Sequence, residues 1–172
     1  MSIVILFLLV ILFLICFTMG YGGLRAAPWM PTVQRDIKRF LKLAHIQKDQ
    51  KVYDLGCGDG RIVCGAAKAG AYVVGYEVSI IHYVISRMRI VSNKLQKQST
   101  IRFKDFWHAD LSDADVVYVY LTPYIYKKLR KKLERELKPG SKVITYIWPI
   151  KEWQPIAVDA EPGLHKMFCY RM

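Results

Sequence analysis

The chain has 172 residues, 53% of them hydrophobic, with a formal net charge of +12. That length fits one domain plus an appendage. Its four cysteines form no C-x-x-C pair, no metal-ligand spacing and no disulfide framework, which argues against a zinc module and a stapled secreted domain. The charge suits attraction to anionic lipid, nucleic acid or an acidic partner. No nucleic-acid module accompanies it, so lipid is favoured over nucleic acid.

From Ile3 to Met19 the only polar side chain is Thr18, and Ile3 through Tyr21 just reaches the roughly 20 apolar residues that cross a bilayer. A secretory signal would need a basic segment before this run and a small-x-small site after it. Nothing basic precedes Ile3, and Gly20 and Gly22 offer only a weak cleavage site. Residues 1–22 are therefore expected to be a retained transmembrane anchor. Arg25, Arg35, Lys38, Arg39 and Lys42 follow it, and Lys/Arg-rich flanks stay on the cytoplasmic side. The expectation is a single-pass membrane protein whose folded domain faces the cytoplasm.

Residues 23–45 read as a basic juxtamembrane segment and helix, with 46–172 as the remaining domain. Pro28 and Pro31 hold the segment extended, and Thr32 is placed to cap the helix. Ile37, Phe40, Leu41 and Ala44 share one helix face, while Arg35, Lys38, Arg39 and Lys42 share the other. One face docks on the domain. The cationic face either meets anionic lipid or is simply solvated.

Strand and helix patterns then alternate. Lys51 to Leu55 is a strand, Gly60 to Ala69 a helix of small residues, and Tyr72 to Glu77 a strand. Ser79 is placed to cap a long helix carrying Ile81, Val84, Ile85, Met88 and Leu95 at helical spacing. Thr100 to Lys104 is a short strand, and a loop with four Asp runs from Asp105 to Asp115. Val116 to Leu121 is apolar apart from tyrosine hydroxyls, as for a strand buried on both faces. Ile125, Leu129, Leu133 and Leu137 form an i, i+4 ladder that Pro139-Gly140 stops. Lys142 to Ile147 is a strand, and Ile156 to Val158 with His165 to Tyr170 a hairpin. This order predicts an α/β, Rossmann-like sheet, mostly parallel with an antiparallel C-terminal edge, behind an N-terminal transmembrane helix.

Val52 to Val63, VYDLGCGDGRIV, runs a strand into a glycine turn and a helix. A dinucleotide fingerprint would read G-x-G-x-x-G, but Gly56, Gly58 and Gly60 give G-x-G-x-G. Asp54 precedes the turn and Asp59 lies inside it, and both charges oppose a pyrophosphate. They favour a ligand with an amino or sulfonium group. Glu77 ends the second strand, where a carboxylate takes both hydroxyls of a ribose. Asp105 is placed to accept from an adenine amino group, with Phe106 or Trp107 over its face. In strand order these residues describe S-adenosyl-L-methionine.

Across Val33 to Met172 the chain resembles the class I, seven-stranded methyltransferases. DLGCGDGR matches their first motif, YEV their acidic strand end and FKDFW their adenine motif. The anchor, the Pro-Trp-x-Pro-Thr segment, GYE, DFWHADLSDADVVYVYLTP and the terminal Tyr-Arg also resemble the membrane-anchored protein-lysine methyltransferases. Those are relatives of mitochondrial enzymes that modify the ATP synthase c subunit and the adenine nucleotide translocase. The resemblance implies Asp54 near the methionine amino group, Gly56, Gly58 and Gly60 against the cofactor backbone, Glu77 on the ribose, and Asp105 and Phe106 at the adenine.

The acceptor side falls at Leu121, Thr122, Pro123 and Tyr124. Many amino-group methyltransferases carry Asn or Asp, then Pro-Pro-Tyr, there. Leu121 departs from that pattern, which favours an alkylamine held by carbonyls and Tyr124 over an amide-type nucleobase. Trp29, Trp107 and Trp148 are candidates to wall the pocket, and of the four histidines only His108 falls near it. The expected reaction is methyl transfer to a lysine of a membrane or membrane-associated protein. Alternatives are a small-molecule or lipid methyltransferase, or a module that binds S-adenosylmethionine or NAD without catalysis. No metal site is expected.

Overall fold

A computed structural model describes residues 2–25, 27 and 29–172. Seven apolar runs become strands: β1 (Lys51–Leu55), β2 (Tyr72–Glu77), β3 (Ser99–Phe103), β4 (Val116–Val119), β5 (Lys142–Tyr146), β6 (Ala157–Asp159) and β7 (Met167–Arg171). They form one sheet in the order β3-β2-β1-β4-β5-β7-β6. The first five pair in parallel, and β7 joins antiparallel to both β5 and β6. The Rossmann-like sheet with an antiparallel C-terminal edge is thus the observed fold. Strand order reverses at β1, between β2 and β4, which opens a crevice beyond the carboxyl ends of those strands.

Period-two alternation sends successive side chains to opposite faces. Val52, Val116, Tyr118 and Ile144 face a core completed by α2 (Gln34–Ala44) and α3 (Arg61–Lys68). Tyr53, Leu55, Val117, Val119 and Val143 face the other layer. There the ladder on α5 (Tyr126–Glu136) closes the core, with Leu129 and Leu133 fully buried between Ile125 and Leu137. On α3, Gly65 admits α2 at close range, since a Cβ there would sit 2.5 Å from Ile37 Cγ2.

The expected anchor is a single helix, α1 (Ile3–Arg25), long and apolar enough to cross a membrane from Ile3 to Gly23. Its side chains from Ile3 to Leu14 are exposed, so no protein core claims them. Its last turns do meet the domain. Thr18 Oγ1 accepts from Ile80 N (3.3 Å), and a Cβ on Gly22 would touch Val78 Cγ2 at 3.2 Å. These contacts place the end of α1 against the start of α4 (Ile80–Ser92). Pro28, expected to hold the following stretch extended, lies outside the described residues.

Three local expectations change. Val33, not Thr32, is the N-cap of α2, and its aliphatic side chain has no acceptor to make a cap bond, while Thr32 is buried one residue earlier. Ser79 does occupy the N-cap of α4, yet its hydroxyl bonds to no described group. Arg39, expected on the outward cationic face, is only 5% exposed. Its guanidinium donates to Asp36 Oδ1 (2.8 Å), Asp159 Oδ1 (2.6 Å) and the His165 carbonyl (2.9 Å). Helical periodicity could not reveal these acceptors, because Asp159 and His165 arrive from the terminal hairpin.

Burial pushes the Asp36 carboxyl up, but hydrogen bonds from Tyr146 and Arg39 outweigh it and hold the group below its usual value. Its contribution to stability is therefore present above the unfolded value of 3.8 and lost as pH falls through the lower folded value. Arg39→Leu strands two carboxylates at this junction, and removing one partner of such a buried network costs about 3 kcal/mol. Denaturant titration of the full chain in detergent at neutral pH should show that loss. An unchanged midpoint would refute the account of this network.

Candidate active site

The crevice at the strand-order reversal is a cleft of about 890 Å³ that is partly open to solvent. Its floor is the turn after β1. Gly56 N and Cys57 N both donate to the Tyr76 carbonyl (3.0 and 2.9 Å), tying the turn to the end of β2. Gly58 has a φ of +52°, and a Cβ there would meet the Trp29 indole at 2.9 Å. Conformation and space both require glycine at this position.

Asp54 and Glu77 reach the cleft from adjacent strand ends and are held very differently. Glu77 Oε2 accepts from Gly58 N, and Oε1 accepts from Val78 N and Ser79 N, all at 2.8 Å. These bonds fix its orientation while leaving further lone pairs for a ligand. Asp54 is 3% exposed and takes no hydrogen bond from any described group. Burial pushes its carboxyl up to about 8, with the charges of Glu77 and then Asp59 adding to the effect. Such a group lacks a cationic partner. Cys57 is pushed well above the thiol range, first by burial and then by Asp54, so it is no thiolate nucleophile.

Asp59 has another role. Its Oδ2 accepts from Arg61 and Arg89 (2.8 Å each), and its carbonyl accepts from Arg89 (2.7 Å). That pairing offsets much of the charge expected to repel a pyrophosphate, and the repulsion falls mainly to Asp54. Gly60 does not line the cleft. A Cβ on it would lie 2.9 Å from Ser86 Cβ, so it serves the crossing of α3 and α4.

Beyond β3, Asp105 and Phe106 both line the cleft. Asp105 Oδ1 accepts from Trp107 N (3.0 Å) and Oδ2 from the Tyr21 hydroxyl (3.1 Å), which links α1 to the loop. Trp107 lies outside the lining, packed on Phe106 at 4.7 Å with the Lys128 ammonium 4.2 Å from its ring. Trp148 belongs to the core under α5. Of the three candidate tryptophans only Trp29 walls the cleft, and it stacks at 4.8 Å on His82, a histidine not expected near the site. His108 is exposed in the loop.

At the end of β4, Leu121 is buried and lines the cleft, whereas Thr122, Pro123 and Tyr124 do not. Exposed Tyr124 turns toward the end of α1, its hydroxyl donating to the Gly23 carbonyl at 3.5 Å. Tyr118 and Tyr120 supply the aromatic wall beside Leu121. Their signal was the tyrosines interrupting an otherwise aliphatic strand. Less foreseeable is that Met19, Gly22, Gly23, Ala27 and Trp29 through Thr32 make 8 of the 25 lining residues. The end of the apolar helix and the stretch after it thus form one wall.

This site fits a ligand with a cationic head and a polar hydroxylated middle. Asp54 offers an unpaired buried carboxylate, the Ser79 hydroxyl is buried without a described partner, and Gly58 adds no Cβ to the floor, where the Trp29 indole lies against its backbone. No group of three or more His, Cys, Asp or Glu among the described residues is placed to hold a metal ion.

Fold and site together define a class I S-adenosyl-L-methionine-dependent methyltransferase. The family profile described as "ANTKMT methyltransferase domain" matches residues 54–157, and the chain belongs to that family. A protein-lysine N-methyltransferase of Saccharolobus islandicus is 36% identical over 148 residues, covering 83% of this chain and 92% of its own. The Homo sapiens lysine N-methyltransferase named for the ATP synthase c subunit is 32% identical over 143 residues, covering 83% of this chain and 60% of its own. The chain thus spans nearly all of the archaeal relative and about three fifths of the human one. Among solved structures, an RNA methyltransferase of Salinibacter ruber in complex with S-adenosyl-L-homocysteine aligns with a TM-score of 0.79 and 31% identity. That alignment covers 83% of this chain and 93% of the other.

The perturbed Asp54 predicts a pH profile for cofactor binding. A cationic ligand requires its ionised form, so raising pH from about 6 to 7.5 should tighten binding, by at most about tenfold per unit. Above about pH 8 Asp54 is ionised in the free protein as well, and the gain stops. Calorimetry with S-adenosylhomocysteine checks this, and Asp54→Asn should bind weakly without that rising limb. A wild-type affinity independent of pH over this range would contradict the role given to burial.

Proposed function

We propose that this chain transfers a methyl group from S-adenosylmethionine to the side-chain amine of a lysine on a protein within or against the membrane that anchors it. The observation that carries the reading is the shared wall: Met19, Gly22 and Gly23 belong both to the candidate membrane span and to the cleft. A cofactor site built on the end of a span works at the bilayer surface. The archaeal and animal relatives, each named a lysine N-methyltransferase, support the acceptor class.

In this reading residues 1–22 are the anchor, 23–45 the juxtamembrane segment and helix, and 46–172 the cofactor-binding domain. The Lys/Arg residues after the span support a cytoplasmic domain. Arg35, Lys38 and Lys42 on α2 keep outward positions from which to meet anionic lipid.

Asp54 takes the cofactor's amino group, and Gly56 and Gly58 let its methionine arm lie close to backbone. Gly60 acts at one remove by seating α3 on α4. Glu77 accepts from the ribose hydroxyls, Asp105 from the adenine amino group, and Phe106 packs on the ring. When bound, the cofactor supplies an electrophilic methyl on a sulfonium leaving group. The protein must present a neutral amine in line with that bond. The apolar wall of Leu121 with Tyr118 and Tyr120 favours the neutral lysine by desolvation. The carbonyls and hydroxyl around Thr122, Pro123 and Tyr124 orient it from the rim. The cation formed on transfer is stabilised by those carbonyls and aromatic faces, then loses a proton to solvent.

Incubating the detergent-solubilised full chain with native membranes and radiolabelled S-adenosylmethionine should label a membrane protein on lysine, located by mass spectrometry. Asp54→Ala should reduce that label at least about a hundredfold, in the range seen when a single strong electrostatic contact is removed. Label found only in lipid or RNA would overturn the lysine acceptor. Wild-type cofactor binding without transfer to any fraction would point to a binding module.

A further inference from the structure

Among the described helices α4 is turned the unexpected way. A surface helix normally buries its apolar stripe and offers polar side chains to water. Here His82, Ser86 and Ile90 face inward, at 7%, 0% and 3% exposed. Val84, Ile85, Met88 and Val91 face outward at 45%, 38%, 66% and 53%, with Ile81 half-buried on the same side. Steps of three and four residues place these five on one contiguous face. Phe103, half exposed against Tyr83, extends the apolar surface onto the neighbouring strand. A contiguous exposed patch of this kind marks contact with something apolar.

The geometry of α1 says what that is. Its span ends inside the domain, through Thr18 on Ile80 and Gly22 on Val78. The part below these contacts, Ile3 to Phe17, is about 22 Å long at the helical rise of 1.5 Å per residue. A bilayer's hydrocarbon core is about 30 Å thick. A helix this short crosses only if the bilayer thins or if the residues above Phe17 are drawn toward it, and they carry the start of α4 with them. Charge agrees: from Val78 to Lys104 the sequence holds six Lys and Arg and no Asp or Glu. Arg87 and Lys94 are exposed beside the stripe, where anionic headgroups would meet them. By contrast, Glu134 and Glu136 interrupt the cations of α5, and Asp36 those of α2.

We propose that α4 is a second membrane contact, lying in the headgroup and acyl boundary with Ile81, Val84, Ile85, Met88 and Val91 toward the lipid. The proposal rests on the anchored reading of α1. Two contacts fix the tilt of the domain where one helix alone would leave it free to pivot. Val78 and Ser79 line the cleft immediately before α4, so the cofactor site is held beside the lipid surface, within reach of lysines at that depth.

The test uses the full chain with Cys16→Ser, since the other three cysteines are buried. Single spin-labelled cysteines at Phe7, Met88 and Lys131 are read in vesicles of phosphatidylcholine and phosphatidylglycerol. All three side chains are exposed, and S-adenosylhomocysteine binding checks that each labelled chain is folded. Collision with oxygen should exceed collision with a water-soluble nickel chelate several-fold at Phe7 and Met88, with the reverse at Lys131 on α5. Met88 behaving like Lys131 while Phe7 stays in lipid would overturn the second contact and leave the anchor standing. Phe7 in water would overturn the anchor and this proposal together. A stripe meant for a protein partner gives the first of these contrary results, because vesicles contain none.

Discussion

The carboxylate of Glu77 holds the site together. By accepting from Gly58, Val78 and Ser79 it joins the turn after β1, the end of β2 and the start of α4 through one group. A carboxylate taking several backbone N–H bonds is strongly held and costly to displace. It also leaves Asp54 without those donors. Two acidic side chains from neighbouring strands therefore diverge: one has its orientation fixed before a ligand arrives, and the other waits for positive charge. The distinction comes from position. Glu77 faces the turn's N–H groups, while Asp54 lies deeper against Cys57 and the sheet, where burial disfavours its ionised form.

That arrangement was largely readable because it is local. β1, the glycine turn and α3 occupy consecutive residues, and glycines alternating between a strand and a helix leave the backbone few other courses. Strand edges were read within one or two residues at β1, β2, β3 and β5, since an apolar run between turn residues needs no knowledge of its neighbours. Arg39 shows where such reading stops. Its neighbours along α2 suggested an outward cation, and only the hairpin that brings Asp159 beside it makes burial tolerable. The same holds for Trp29, which is far in sequence from Gly58 yet lies against it. Contacts of this kind depend on the whole topology, and no window of residues contains them.

α4 is a subtler case, because the periodicity was correct and its usual meaning was not. Five apolar residues at helical spacing imply an apolar face but not which environment receives it. The inward side is taken instead by Ser86, pressed under Gly60, and by His82 under Trp29. Small or flat side chains there let α4 approach the glycine turn closely. The apolar stripe is left on the opposite side.

If the apolar helix is the anchor proposed above, membrane attachment and cofactor binding are one piece of architecture. Tethering alone would raise the effective concentration of any substrate confined to the same bilayer. It would not explain why the last turns of the apolar helix contribute to the cleft, or why Tyr21 reaches the Asp105 carboxylate. A flexible linker would have separated the two functions. Here the helix continues into the cofactor wall, so in the proposed anchored state its depth and tilt in the bilayer would also set the height of the cleft. On that proposal, lysines near that height would meet the enzyme already positioned. Those carried far above the surface would gain nothing from the anchor, so discrimination between substrates would depend on the distance of the amine from the membrane as well as on sequence around it.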